Sequence, residues 1–84
     1  LPDGMTAVID RSTWVVPPLF QFIQRQGRVD RDEMYRVFNM GIGLVLILRK
    51  KHLSRAMTLL RWAGSRPVII GSIAKGRDGV RLLN

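Results

Sequence analysis

Cysteine is absent from this 84-residue sequence, and histidine occurs once, as His52. These absences exclude disulfides and thiolate zinc sites, and a single histidine with few partners nearby cannot build a metal site. The longest apolar run, Gly41–Leu48, is far shorter than the roughly 20 residues that a membrane-spanning helix needs. The N-terminus lacks the basic start and apolar stretch of a secretory signal. We therefore predict a cytoplasmic protein with no membrane partner and no metal site of its own.

The length and the apolar content together limit what the chain can be. Hydrophobic residues make up 46% of the 84 residues, enough for a packed core and too many for a disordered tail. A chain of this size holds at most one small domain, and it buries only about 60% of its unfolded surface. The first residue is Leu1, which we interpret as a sign of an excised piece or a processed product.

Positive charge is concentrated in the second half of the chain. Residues 1–48 carry five arginines and five acidic residues, whereas residues 49–84 carry nine lysines and arginines and one acid, Asp78. The formal net charge of +8 therefore lies entirely in the second half. Such an asymmetry suggests a nucleic acid or another anionic ligand as a partner.

Hydrophobic periodicity and turn residues predict the order β-α-α-β-α-β-β. The predicted helices are Pro17–Gln26, Arg31–Phe38 and Lys50–Ala63. The predicted strands are Met5–Asp10, Leu44–Leu48, Pro67–Ala74 and Val80–Leu83. We expect a right-handed crossover to join the second and third strands in parallel, and a hairpin to join the last two. The fold class is α+β, with a mixed sheet and helices packed on it.

The loop Asn39–Gly43 is the most informative local feature. Its two glycines, Gly41 and Gly43, let a backbone or a ligand approach closely. The loop therefore either forms part of a substrate or phosphate pocket, or caps a helix and leads tightly into a strand. No Gly-Lys-Ser/Thr follows it, which excludes a Walker loop, and its helix-to-strand order excludes a dinucleotide fingerprint.

Basic residues offer weaker candidates. The cluster Arg49–His52 opposes the dipole at a helix start and either holds an anion or is simply solvated. Trp62 lies beside the apolar stripe of that helix and gives little support for base stacking. The cations near the last strands either contact phosphate or protect a sheet edge; they are Lys75, Arg77 and Arg81. The acidic residues Asp30 and Glu33 have capping-box spacing.

One longer segment resembles a known family. Residues Glu33–Leu44 read Glu-Met-Tyr-Arg-Val-Phe-Asn-Met-Gly-Ile-Gly-Leu, which is similar to the signature of the aminoimidazole ribonucleotide synthetases, or phosphoribosylformylglycinamidine cyclo-ligases. The family usually has Thr at Val37 and Met at Leu44. Segments Ser12–Phe20 and Val68–Ile73 also resemble family motifs, in the family's order. The resemblance covers nearly the whole chain and identifies it as the C-terminal part of such an enzyme.

The resemblance implies a fold and an activity. The C-terminal domains of this superfamily share an α/β sandwich with ferredoxin-like character, and residues 1–84 would form one terminal portion of it. The full enzyme is a ligase of purine biosynthesis, in which ATP and Mg²⁺ activate the formyl oxygen of formylglycinamidine ribonucleotide before ring closure. The ATP-binding half and its metal ligands would lie upstream, so we expect the fragment alone to be inactive.

The resemblance also implies partners and site residues. The expected partners are the nucleotide substrate, the upstream ATP-binding domain and a second subunit in a homodimer; nucleic acid is not expected. The substrate-binding candidates are Arg36, Asn39, Gly41 and Gly43. An alternative hypothesis is a free-standing basic module that binds nucleic acid or another polyanion, and a remnant without function is a third.

Overall fold

The computed structural model describes residues 2–84, which form two compact units. The first unit contains residues 2–14 and 50–84, and the second contains residues 15–49. The first unit has strands β1 (Met5–Asp10), β2 (Gly71–Lys75) and β3 (Val80–Leu83), with helix α3 (Leu53–Trp62). The second has helices α1 (Pro18–Gly27) and α2 (Arg31–Val37). This is an α+β architecture, which confirms the predicted class.

The first unit is built on a mixed sheet in the order β2-β1-β3. Strand β1 is antiparallel to β2, with Ala7 opposite Ile73, and parallel to β3, with Ala7 opposite Val80. The predicted hairpin between the last two strands is wrong, because β1 lies between them. The central position lets β1 satisfy its backbone groups on both edges, whereas a β2–β3 hairpin would leave one edge of β1 unpaired.

Two of the predicted strands differ from those that the structure contains. Residues 44–48 contain neither helix nor strand, and Pro67–Ala74 is replaced by a strand that starts only at Gly71. The expected crossover from Leu44 to Ala74 is therefore not formed. An aliphatic run indicates a preference for burial, but a strand also needs a partner strand for its N–H and C=O groups. Among residues 2–84, no strand of the sheet pairs with residues 44–48.

The helices agree with their predicted positions within three residues. Helix α1 carries proline in its first turn, where a missing N–H is harmless. The prediction that Gly27 stops α1 needs a correction, since Gly27 is helical and Arg28 takes the left-handed conformation with φ of 51°. Helix α3 ends as predicted at Gly64, whose φ is 89°. The N–H groups of Gly64 and Ser65 donate to the carbonyls of Arg61 and Leu60, each at 3.0 Å.

The turn after β1 is organised by Asp10. Its Oδ1 accepts hydrogen bonds from the Ser12 hydroxyl at 2.6 Å, the Ser12 N–H at 2.9 Å and the Asn84 side-chain amide at 3.2 Å. The Ser12 hydroxyl, the Ser12 N–H and then Asn84 favour the ionised carboxylate and lower the pKa of Asp10 below its ordinary value of 3.8. The ionised form of Asp10 therefore ties the end of β1 to Ser12 and to Asn84, the residue directly after β3.

This arrangement predicts a pH dependence of stability. Because the folded-state pKa is lowered, the contribution of Asp10 is complete above its unfolded pKa and is lost as pH falls through the folded value. Urea midpoints measured by circular dichroism at about pH 6 and about pH 3 should fall further in the wild type than in Asp10→Asn, in which the acceptor oxygen remains but cannot titrate. Equal falls in the two proteins would contradict this assignment.

Within residues 2–84, no helix combines the length and the apolar character that crossing a bilayer requires.

Candidate ligand-binding loop

The candidate loop Asn39–Gly43 begins where α2 ends. The N–H of Phe38 still donates to the Met34 carbonyl at 2.9 Å, and the Phe38 ring packs against Phe20 of α1 with 5.9 Å between centroids. The side chain of Met34, also on α2, is fully buried, at 0% exposure. Packing of α2 against α1 therefore sets the position from which the loop starts.

The loop itself is a tight turn held by Asn39. Its Oδ1 accepts the N–H of Gly41 at 2.9 Å, and its carbonyl accepts the N–H of Ile42 at 3.0 Å. Met40 and Gly41 both have positive φ, 53° and 100°. The left-handed conformation costs a side-chain-bearing residue about 1 kcal/mol, and burial of the Met40 side chain to 3% exposure offsets that cost. The turn is thus held by its own hydrogen bonds and by the burial of Met40.

The two glycines have different surroundings. A Cβ at Gly41 would lie 2.6 Å from Cδ of Pro17, so the turn lies directly against the residue before α1. A Cβ at Gly43 would meet no atom within 4 Å, and the φ of Gly43 is not in the left-handed region. The conformation and packing of the turn therefore explain the glycine at position 41. At Gly43 the space beside the backbone is empty, so neither packing nor backbone conformation requires glycine there.

Arg36, the fourth candidate, forms an ion pair within α2. Its Nε donates to Oε2 of Glu33 at 2.9 Å and its Nη2 donates to Oε1 at 2.5 Å. These hydrogen bonds lower the pKa of Glu33 and raise the pKa of Arg36. The structure thus joins Asn39 and Gly41 in one turn and directs Arg36 towards Glu33. From the sequence, Glu33 was assigned to helix capping, and its pairing with Arg36 was missed. The i, i+3 spacing of the two residues on a helix could have predicted the ion pair.

The capping prediction for α2 is confirmed at Asp30. Its Oδ2 accepts the N–H of Asp32 at 3.2 Å. The carboxylate of Glu33, the other half of the predicted capping box, forms the pair with Arg36 instead. Both acidic side chains therefore have structural roles at the start of α2.

The connection between β2 and β3 borders a cavity of about 440 Å³. Gly76 donates its N–H to the Gly4 carbonyl at 3.0 Å, and Arg77 and Asp3 both line the cavity. Among the cations named for the last strands, Arg77 is the one that borders this space.

Substitution at Gly41 should be far more damaging than substitution at Gly43. In Gly41→Ala the new Cβ clashes with Pro17 and the backbone must keep a left-handed φ, so we expect about 2–3 kcal/mol of destabilisation. Gly43→Ala meets no neighbour and should stabilise by about 0.5 kcal/mol through the unfolded state. Urea denaturation of the two variants tests this, and similar losses of stability in both would refute the distinction.

Comparison with known proteins decides the family. The sequence profile of the family described as "AIR synthase related protein, C-terminal domain" matches residues 1–83. The chain belongs to this family. The resemblance of Glu33–Leu44 to the family signature is thereby confirmed, and the candidate turn lies inside the matched region.

Relatives of the family named phosphoribosylformylglycinamidine cyclo-ligase are similar over almost all of the chain. The protein from Chromobacterium violaceum is 46% identical over 79 residues, which are 94% of this chain and 23% of the relative. The protein from Cupriavidus pinatubonensis is 49% identical, again over 94% of this chain and 23% of the relative. The protein from Bacillus subtilis is 41% identical over 95% of this chain and 23% of its own length. The chain therefore spans about a quarter of the length of these relatives.

Proposed function

We propose that this chain is the C-terminal portion of a phosphoribosylformylglycinamidine cyclo-ligase of de novo purine biosynthesis. The observation that carries the proposal is 46–49% identity to proteins of that name over 94% of the chain. The whole enzyme would act in the cytoplasm as a homodimer. It would use ATP to activate the formyl oxygen of formylglycinamidine ribonucleotide, and closure of the imidazole ring would give aminoimidazole ribonucleotide.

Within that enzyme, the turn Asn39–Gly43 would form one wall of the substrate cleft. The Oδ1 of Asn39 is engaged by Gly41, so its Nδ2 amino group can donate to an acceptor of the substrate. The absence of a side chain at Gly43 lets a ligand reach the backbone there. Because the turn is already folded, little conformational freedom is lost on binding. Arg36 would act through its ion pair with Glu33, which fixes the end of α2 from which the turn starts.

Two acidic side chains near the turn already have partners within the chain. Asp30 caps α2 and Glu33 is paired with Arg36. Among residues 2–84, no three side chains of Asp, Glu or His are grouped so that they could hold a metal ion. We therefore assign ATP and Mg²⁺ to the upstream part of the enzyme, and we expect the 84-residue chain to have no ligase activity by itself.

A chimaera tests the proposal. The C-terminal quarter of the Bacillus subtilis cyclo-ligase, which is 41% identical to this chain, would be replaced by residues 1–84. We expect the chimaera to convert formylglycinamidine ribonucleotide with release of ADP and the isolated chain to be inactive. A folded chimaera without activity would overturn the proposal.

Two substitutions in the active chimaera test the turn. Asn39→Ala should raise KM for the ribonucleotide about tenfold, the loss that follows when a hydrogen bond to a charged or polar ligand group is removed. Gln26→Ala removes an amide from an exposed position of α1 and serves as the matched control. If the two variants have the same KM, Asn39 is not a substrate-binding residue.

A further inference from the structure

Helix α3 has two unlike faces. The residues turned inward are half-buried and apolar; they are Leu53, Ala56, Met57 and Leu60. Arg55, Thr58 and Trp62 follow each other at i, i+3 and i+7 on the opposite side, and all three are exposed. Arg61 is also exposed and flanks Trp62. We call these four outward residues the cationic face of α3.

The indole of Trp62 is the unusual member of the cationic face. It is 87% exposed, although tryptophan is among the side chains that proteins bury most extensively. The sequence places Trp62 beside the apolar stripe of the helix, which gave little support for base stacking. The structure instead places this ring on the outward stripe that contains Arg55, two helical turns or about 10 Å away along the axis.

The half of the sequence that contains α3 has an uncompensated positive charge. Helix α3 contains no acidic residue, and residues 49–84 contain nine lysines and arginines against Asp78. Each of these nine cations is exposed. An excess of exposed positive charge attracts anions through a summed field and not through one contact.

We propose that the cationic face of α3 binds a single-stranded nucleic acid, with phosphates at Arg55 and Arg61 and a base stacked on Trp62. Single-strand binding surfaces combine these two elements, a positive track for the backbone and an aromatic ring for the bases. An anionic membrane is the rival partner, but a helix lying on lipid presents a continuous apolar face. Of the exposed side chains of α3, Leu59 and Trp62 are apolar, but they lie among Ser54, Arg55, Thr58 and Arg61, so this side of the helix is not continuously apolar. This inference goes beyond the ligase role and does not depend on it.

The test measures fluorescence anisotropy of a labelled oligo-dT of about 20 nucleotides, titrated with the 84-residue chain at several salt concentrations. The chain concentration stays below the onset of self-association. Trp62→Ala should weaken binding roughly 5- to 100-fold, the range seen when a stacking ring is removed. Arg55→Gln should lower the slope of log K against log salt by about 0.7, the value for one phosphate contact on a single strand.

Two controls separate a defined face from general charge. Arg25→Gln removes the same charge from an exposed position of α1, and it should weaken binding less than twofold. Trp62→Phe retains an aromatic ring and should bind within about threefold of the wild type. Circular dichroism of each variant verifies that the helices remain folded.

Three outcomes would each overturn the proposal. One is equal weakening by Arg25→Gln and Arg55→Gln, which means generic attraction between polyions. Another is unchanged binding in a folded Trp62→Ala variant. The third is tighter, Trp62-dependent binding to phosphatidylserine-containing vesicles than to the oligonucleotide, which would identify lipid as the partner. Failure of the chimaera described above would leave this result unaffected, so the two proposals are tested separately.

Discussion

Gly71→Ala is expected to break the pairing of β1 with β2 and to destabilise the chain by about 3 kcal/mol or more, the upper range for an overpacked site. Gly71 lies opposite Ile9 in the ladder. A Cβ on Gly71 would overlap the Val8 carbonyl oxygen and would lie 2.9 Å from the Val8 carbonyl carbon and 3.0 Å from Cα of Ile9. These neighbours are backbone atoms of the central strand, so no side-chain rotation relieves the clash.

The loss should appear as reduced β-sheet signal in circular dichroism and as a lower urea midpoint. Gly4→Ala is a useful comparison, because its Cβ would meet no atom within 4 Å but its φ of 81° disfavours a side chain. It should lose only about 1 kcal/mol, the cost of the left-handed conformation. If Gly71→Ala were as stable as Gly4→Ala, the close approach at Val8 would not exist in solution.

Lysine at Leu46 is expected to keep the isolated chain monomeric at concentrations where the wild type self-associates. The five aliphatic residues 44–48 are exposed by 80%, 51%, 54%, 62% and 45%, and no strand of residues 2–84 pairs with them. Burying each such side chain contributes roughly 1.5–3 kcal/mol. A consecutive run of them is therefore a strong site of association.

Charge favours one orientation for that association. Arg49, Lys50 and Lys51 follow the aliphatic run directly, so parallel pairing of two copies would place like charges opposite each other. Antiparallel pairing centred on Leu46 puts the two basic clusters at opposite ends. Leu46→Lys adds two facing charges at the centre of that pair and should prevent it.

Sedimentation velocity over a concentration series measures this effect. Val15→Lys is the matched control, because Val15 is 89% exposed and lies outside the aliphatic run. It should associate like the wild type. A wild-type chain that remains monomeric at the highest concentration would show that the exposed run does not drive association.

The sequence predicted the helices better than the strand pairing, for a physical reason. Proline in the first turn of α1, Asp30 at the start of α2 and Gly64 after α3 are local signals, and a helix satisfies its own backbone. Strand pairing depends on distant residues. The short apolar stretch Met5–Asp10 correctly predicted β1, but nothing local indicates that β1 separates β2 from β3.

In the candidate turn, too, local features were predictable from the sequence and long-range contacts were not. The two glycines correctly predicted that α2 is interrupted before residue 43, and Gly41 has the left-handed φ that favours glycine. The difference between the two glycines depends on Pro17, which is 24 positions before Gly41 in the printed sequence. A contact of that range cannot be read from the turn's own residues. The ligand role of Asn39 and Gly43 remains a prediction for the chimaera to test.

The central position of β1 has a consequence for the timing of synthesis. Arg11, directly after β1, donates to the carbonyl of Leu83 in β3, 72 residues later. At about 5–20 residues per second, the ribosome needs roughly 4–14 s to add that length of chain. During those seconds β1 has left the ribosome before either of its neighbours exists. Until β2 and β3 follow, β1 therefore has unpaired N–H and C=O groups along both edges, and such edges are open to pairing with other chains.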